Sequence, residues 1–231
     1  ANVYFSVAEG FRSGGFNLAN SPTYDPETVI AYELGAKANF LGGKVTTDGA
    51  FYHSDYIDYQ SFMLDGPFAV VSNPGEAQIQ GLELAARISI SEQVSVGLSG
   101  NYTDTEFTKV SLSVPINLNG DPITNIPLYS YSLNTRYEFN WSSSIAGFGY
   151  LEYNRQSGSY SINRLGLVPV VKSSPLGQLN ARIGAQWSNF NINLFAQNLT
   201  NDVRGTTAAV AGTLDSQNRP RTLGLEFNYE F

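Results

Sequence analysis

Apolar and polar residues alternate along most of this chain, most cleanly at its end. Leu223, Leu225, Phe227, Tyr229 and Phe231 alternate with Gly224, Glu226, Asn228 and Glu230. A period of two puts the first set on one face of a β-strand and the second on the other. Upstream, Tyr32, Leu34, Ala36, Ala38 and Phe40 alternate with Ala31, Glu33, Gly35, Lys37 and Asn39. Leu82, Leu84, Ala86, Ile88 and Ile90 stand opposite Gly81, Glu83, Ala85 and Arg87. Tyr131, Leu133, Thr135, Tyr137 and Phe139 stand opposite Ser132, Asn134, Arg136 and Glu138. The pattern returns at Leu179, Ala181, Ile183, Ala185 and Trp187 against Asn180, Arg182, Gly184 and Gln186.

Ten strands follow from this reading. They cover 2–10, 29–40, 45 to about 59, 79–90, a run from Val94 to Tyr102, another from Tyr131 to Phe139, 145–156, the runs ending at Trp187 and Ala196, and 221–231. Around Phe51, Tyr52 and His53 the phase is unclear, and a β-bulge is one explanation. Four connections are short: Leu41-Gly42-Gly43-Lys44, Ser91-Glu92-Gln93, the turn from Asn140 to Ser144, and Ser188-Asn189. Five are long: 11–27, 60–78, 105–127, 157–177 and 200–220. Short and long connections alternate, so a meander would gather the short ones at one end and the long ones at the other. Strands of roughly 9–12 residues suit a tilted membrane crossing. Soluble Greek-key sandwiches do not sort their loops this way. The expected fold is all-β: an antiparallel, up-and-down transmembrane β-barrel.

Composition agrees. Charged residues make up only 14% and aromatics 13% of the 231 residues, against roughly 25% charged in ordinary soluble domains. No uncharged apolar run reaches the roughly 18 residues of a membrane helix, which excludes helical spanning but not a barrel. The net charge of -7 argues against nucleic acid, whose phosphates require clustered cations. The chain has no cysteine, and His53 is its one histidine, so thiolate and multi-histidine metal sites are excluded. His53 reads as a wall or interface residue, and no hydrolase triad or phosphate loop is evident. No cofactor is expected. No signal-peptide pattern opens at Ala1, so an exported chain would have lost its signal or be part of a longer one.

The closing strand, with its aromatic last residue, resembles the terminal strand of bacterial outer-membrane barrels. In those proteins the alternate apolar positions, here Leu223, Leu225, Phe227, Tyr229 and Phe231, are the signal read by the barrel-assembly machinery. Further pieces match one family. They are Glu9-Gly10-Phe11-Arg12-Ser13-Gly14-Gly15-Phe16-Asn17, Tyr32-Glu33-Leu34-Gly35-Ala36-Lys37, Asn73-Pro74-Gly75-Glu76-Ala77, Gly81-Leu82-Glu83-Leu84 and Ala196-Gln197-Asn198-Leu199-Thr200-Asn201. In this order they resemble the carboxy-terminal barrel of TonB-dependent outer-membrane receptors.

That resemblance implies a barrel of about 22 strands with a plugged lumen. Residues 1–231 would supply its last ten strands, leaving the signal peptide, the plug and the earlier strands outside this sequence. It implies no enzyme but uptake of a scarce, bulky nutrient across the outer membrane of a Gram-negative bacterium. A ferric siderophore comes first, with a glycan, cobalamin or another chelate open. The implied partners are outer-membrane lipid and lipopolysaccharide, the barrel-assembly machinery, the plug and remaining strands, TonB through the absent amino-terminal part, and a small-molecule chelate. The alternative is a self-contained ten-stranded barrel acting as a porin, an adhesin or an omptin-like protease, for which no catalytic motif is present.

Two sets of residues carry the functional expectations. Glu33, Lys37, Glu83, Arg87, Arg136, Glu138, Arg182, Glu226 and Glu230 occupy the polar phase and would line the lumen. Tyr24, Tyr56, Tyr59, Phe62, Phe68, Tyr160 and Arg164 lie towards the long loops, where aromatics and a cation suit a bulky or anionic ligand. For these, loop packing or lipopolysaccharide contact is the plainer role.

Overall fold

The computed structural model describes residues 1–17, 22–65, 68–110, 119–163, 168–205 and 217–230. Its strands are β1 (Asn2–Arg12), β2 (Glu27–Phe40), β3 (Val45–Asp65), β4 (Phe68–Ser89), β5 (Val94–Val110) and β6 (Tyr129–Ser142). Then follow β7 (Ile145–Gln156), β8 (Tyr160–Asn163), β9 (Val168–Lys172), β10 (Leu176–Trp187), β11 (Phe190–Gln197) and β12 (Thr222–Tyr229). Ten of them form one sheet in the order β1-β2-β3-β4-β5-β6-β7-β10-β11-β12, and β8 pairs with β9 apart from it. Every pairing is antiparallel. The meander is the expected one. Its connections therefore alternate between a short-turn end and a loop end.

Among the described residues most large apolar side chains of the sheet do not gather into a core. Phe5 lies opposite Leu34, Leu34 opposite Phe51, Phe51 opposite Leu82, and Leu82 opposite Tyr102. The row continues where Leu133 faces Leu98 and Tyr153, and where Leu194 faces Ile183 and Leu225. These side chains are exposed, Phe5 at 66%, Leu84 at 53% and Leu225 at 67%. A soluble protein does not spread so many apolar groups continuously over one face. A sheet whose outer solvent is lipid does.

Polar side chains occupy the other face, which we call the inner face. Aromatic rings there lie flat over glycines of the next strand. The Tyr52 hydroxyl reaches across Gly81 to Thr103 Oγ1, 2.9 Å away, and the Phe148 ring covers Gly184. A Cβ at either glycine would collide with the ring above it, so the short side chain is what lets the ring extend over the ladder.

Two expectations change most, besides β5 running on to Val110 within the expected loop 105–127 and β8 and β9 lying within the expected loop 157–177. Residues 60–78 are not a loop, because β3 and β4 run on as a long hairpin that pairs Ser61 with Ser72 and Asp65 with Phe68. Asn73-Pro74-Gly75 reads as a breaker, yet it falls where the register shifts between Tyr59↔Gly75 and Ser61↔Ser72. Pro74 therefore withholds no ladder hydrogen bond, and Gly75 takes φ 146°. The second change concerns the bulge. Register is regular through Phe51, Tyr52 and His53 and shifts instead between Tyr56 and Tyr59, where Asp58 adopts φ 53°. Phe51 and His53 face outward with Leu34 and Tyr32, while Tyr52 faces inward with Glu33.

Among the described residues no ladder joins β1 to β12, so the sheet is open. Phe231 lies outside the described residues. Arginine in place of Leu84 or Leu225 should cost about 2–4 kcal/mol when the parent barrel refolds into lipid vesicles. Asn228→Ser, on the inner phase, should cost far less. Equal losses in denaturant titrations would show that lipid does not meet the apolar face.

Candidate functional site

At the loop end, three polar staples tie the β1–β2 connection to the long hairpin. The first is built on Glu27, which is only 4% exposed. Its Oε1 accepts from Arg12 Nη2 at 2.8 Å and its Oε2 from the Gln60 backbone N–H at 2.6 Å. Gln60 Nε2 donates to the carbonyls of Ser13 and Asp25, each at 3.0 Å. A carboxylate so deeply placed needs this full set of partners. The second staple is Asn17, whose amide donates to Val71 O and accepts from Val71 N, both at 2.8 Å, as a neighbouring strand would. The third is Asn73, which accepts from Asp25 N at 2.7 Å and donates to Asp58 O at 2.6 Å. Tyr24 exchanges backbone hydrogen bonds with Gly15 at 3.0 Å, and its ring fills the space beside that glycine.

A small apolar cluster lies inward of β3–β5. Ala77, Phe107 and Ile123 are buried there, with Tyr56, Tyr59, Ile79, Val110 and Ile126 packed around them. Tyr56, Tyr59 and Phe107 meet edge to face, with centroids 5.6 Å apart in each pair. Ile123 belongs to the β5–β6 connection, which folds back onto the inner face. Phe107 N–H donates to Asp121 O at 2.9 Å and Ile123 N–H to Thr105 Oγ1 at 3.0 Å. Asn125 N–H then reaches Tyr160 O at 2.8 Å, joining this segment to the β8–β9 hairpin. Burial pushes the Tyr56 and Tyr59 phenols above their usual range, and the nearby Glu27 carboxylate adds to it.

The loop-side candidates are thus dispersed. Tyr56 and Tyr59 come together in the packed cluster, and Tyr24 packs on Gly15. The Tyr160 ring carries Lys172 Nζ 4.9 Å from its centroid. Phe62 stands exposed on the long hairpin. The Phe68 side chain and Arg164 lie outside the described residues.

The inner-face charges are paired along and across strands. Lys37 Nζ lies 2.7 Å from Asp48, and Arg182 3.7 Å from Glu226. Arg136 lies 2.9 Å from Glu138 and stacks 4.1 Å over Phe148. Glu33 accepts the Tyr4 hydroxyl at 2.6 Å. Glu83 and Arg87 line grooves on the same face, and Glu230 follows the end of β12, its N–H on Asn189 O at 3.0 Å. A groove of ≈ 490 Å³ is walled by Glu83, Asn101, Ser130, Asn154 and Gln178. Another of ≈ 670 Å³ is walled by Arg136, Tyr150, Glu152, Arg182 and Phe195. Such a wall offers hydrogen bonds and both signs of charge to whatever it faces. Among the described residues no cluster of His, Cys, Asp and Glu could hold a metal. His53 faces outward, 3.1 Å from Asp55.

Sequence reading did not single out the residue that closes the last long connection, Asn198. It is 2% exposed and left-handed at φ 48°, a conformation asparagine tolerates better than most. Its Nδ2 donates to Asp202 O at 3.1 Å and Arg219 O at 3.0 Å, while its Oδ1 accepts from Asp202 N at 3.0 Å. The signal was present in Asn198-Leu199-Thr200-Asn201, where an asparagine follows directly on a strand.

A family model described as TonB dependent receptor-like, beta-barrel matches residues 1–199. The pesticin receptor of Yersinia pestis is 29% identical over 114 residues, covering 47% of this chain and 17% of the receptor. A probable TonB-dependent siderophore receptor, PiuA of Acinetobacter baumannii, is 23% identical and matches 99% of this chain against 32% of its own length. Among solved structures, the ferric yersiniabactin uptake receptor FyuA of Yersinia pestis superposes with a TM-score of 0.81 at 22% identity, over 99% of this chain and 35% of FyuA. The chain therefore spans about a third or less of the length of these relatives.

Asn198→Ala should remove about 1–3 kcal/mol of stability, since it takes away the partner of two carbonyls and an N–H at once. Denaturant titration of the barrel checks this. An unchanged midpoint would show that the connection is held elsewhere.

Proposed function

The chain belongs to the TonB-dependent receptor β-barrels, and we propose that it forms the carboxy-terminal part of the wall of such a receptor in a Gram-negative outer membrane. The match across residues 1–199 carries this reading. The exposed apolar face supports membrane insertion. The open sheet supports a part of a larger wall over a self-contained small barrel, whose first and last strands would have to pair. Strands outside this sequence then satisfy the free edges of β1 and β12.

The receptor takes up a ferric siderophore, a reading supported by the cargo named for two relatives, PiuA and FyuA. It acts as a transporter and not as an enzyme. The chelate is gathered at the loop end and passes along the polar inner face, whose paired charges contact the plug. Energy enters through TonB by way of the amino-terminal part. Leu223, Leu225, Phe227, Tyr229 and Phe231 present the strand that the assembly machinery reads.

Deleting the parent gene should abolish uptake of one radiolabelled ferric siderophore, and loss of TonB should do the same. Uptake that survives either deletion would sink the assignment. The segment alone should form no uniform pore in liposomes, because ten strands curl too tightly to reproduce a 22-stranded wall. Regular single-channel steps from this segment would instead favour the small barrel.

A further inference from the structure

Two arginines on the inner face are mounted in the same way. The Phe148 ring of β7 lies over Gly184, and the Arg136 guanidinium stacks on that ring, its Cζ 4.1 Å from the centroid. The Phe195 ring of β11 lies over Gly224, with Arg182 Cζ 5.8 Å from its centroid. Each ring is thus closed on one face by backbone and on the other by a cation, which holds the guanidinium against the wall. Arg136 and Arg182 are both register partners of Tyr150, so the two cations flank it in one row across β6, β7 and β10. Both line the groove of ≈ 670 Å³, which reaches up to Asn198 and Arg219 in the last long connection.

The carboxylates beside this groove are already served by neutral donors. Glu226 Oε1 accepts from Asn193 Nδ2 at 3.2 Å and from Asn228 Nδ2 at 2.9 Å. Glu152 accepts from the Tyr150 hydroxyl at 3.1 Å and from Asn180 Nδ2 at 3.0 Å. The cations are less well served. Arg136 spends its Nε on Glu138 at 2.9 Å, and Arg182 Nη2 stands 3.7 Å from Glu226, beyond hydrogen-bonding reach. Among the described residues no other hydrogen bond engages these two guanidiniums or that of Arg219. A guanidinium carries five N–H donors. The groove therefore holds an excess of unmet, charged donors.

We propose that this groove holds carboxylate oxygens of the chelate in transit, so that the cargo is an anionic siderophore with carboxylates free to face the wall. The guanidinium fork matches the two oxygens of a carboxylate. A catechol or other flat aromatic arm needs a ring face to stack on, and Phe148 and Phe195 have none left to give. A neutral hydroxamate would leave the arginine charge unmatched. Arg136 and Arg182 are then the residues that set which class of chelate passes along this side of the wall.

This inference rests on the uptake reading above. The test uses the whole purified receptor and two probes of one shape, tricarballylate and its triamide, with binding followed by isothermal titration. The acid should bind about tenfold more tightly than the triamide, the margin of charge-assisted over neutral hydrogen bonds. Arg136→Gln and Arg182→Gln should each weaken the acid about fivefold, as fits a half-exposed ion pair, and leave the triamide unchanged. Arg136→Lys, which keeps the charge and loses the fork, should fall between. Lys109→Gln, which removes a cation paired with Glu76 at 2.7 Å outside the groove, should bind the acid as the unsubstituted receptor does. Equal affinity for the two probes would overturn the proposal, as would an acid affinity that neither arginine change lowers, or that Lys109→Gln lowers as much. So would an unsubstituted receptor that ignores the acid while Arg136→Gln and Arg182→Gln lower its thermal midpoint, the result expected if a carboxylate of the plug fills the groove. Uptake of no ferric siderophore by the parent receptor would sink the reading beneath. Uptake of one without a free carboxylate would sink this inference alone.

Discussion

Hydrocarbon accepts no backbone hydrogen bonds, and everything else in this structure follows from that constraint. Each N–H and C=O of a crossing strand must find its partner on a neighbouring strand. Hence each of the ten strands of the sheet pairs with the next in the order, from β1 at one edge to β12 at the other. The sheet's register is regular through the mid-strand apolar rows; the shifts at Tyr56/Tyr59, Tyr59/Ser61 and Glu76/Ala77 lie towards the loop end, and one more, at Asn140/Ser142, lies beside the β6–β7 turn. There water or a side-chain amide can take up a stray backbone group. Asn17, Asn73 and Asn198 do that work, each offering donor and acceptor together.

The same constraint explains what could be read from the residues alone. Within the crossing segments one face meets lipid and the other a polar interior, so period two is enforced and β7 falls on the expected bounds of 145–156. Beyond the membrane both faces of the β3–β4 hairpin meet water or loops. Alternation then carries no information, and residues 60–78 pass for a loop although they are strand. Proline and glycine mislead in the same place, because a bulge tolerates Pro74 as readily as a turn would.

The candidate site was legible in kind more than in detail. That Glu33, Arg136 and Glu226 share a face followed from parity. That Arg136 would lie over Phe148 required the register of β6 against β7, which no local pattern encodes. Residue type alone points to the loop-side aromatics, and type does not distinguish a ring that awaits a ligand from one like Tyr59 that packs against Phe107. What separates them is the path of the β5–β6 connection, set by long-range contacts such as Ile123 N–H on Thr105.

In the ten-stranded sheet, each strand pairs only with its neighbours in the order of synthesis, save that the β8–β9 excursion intervenes between β7 and β10. Each register is therefore a private agreement between two adjacent segments. A hairpin could be duplicated or lost at either edge without disturbing any agreement further in. Such a wall can change its circumference over evolutionary time by whole hairpins while the surviving strands keep every partner they had.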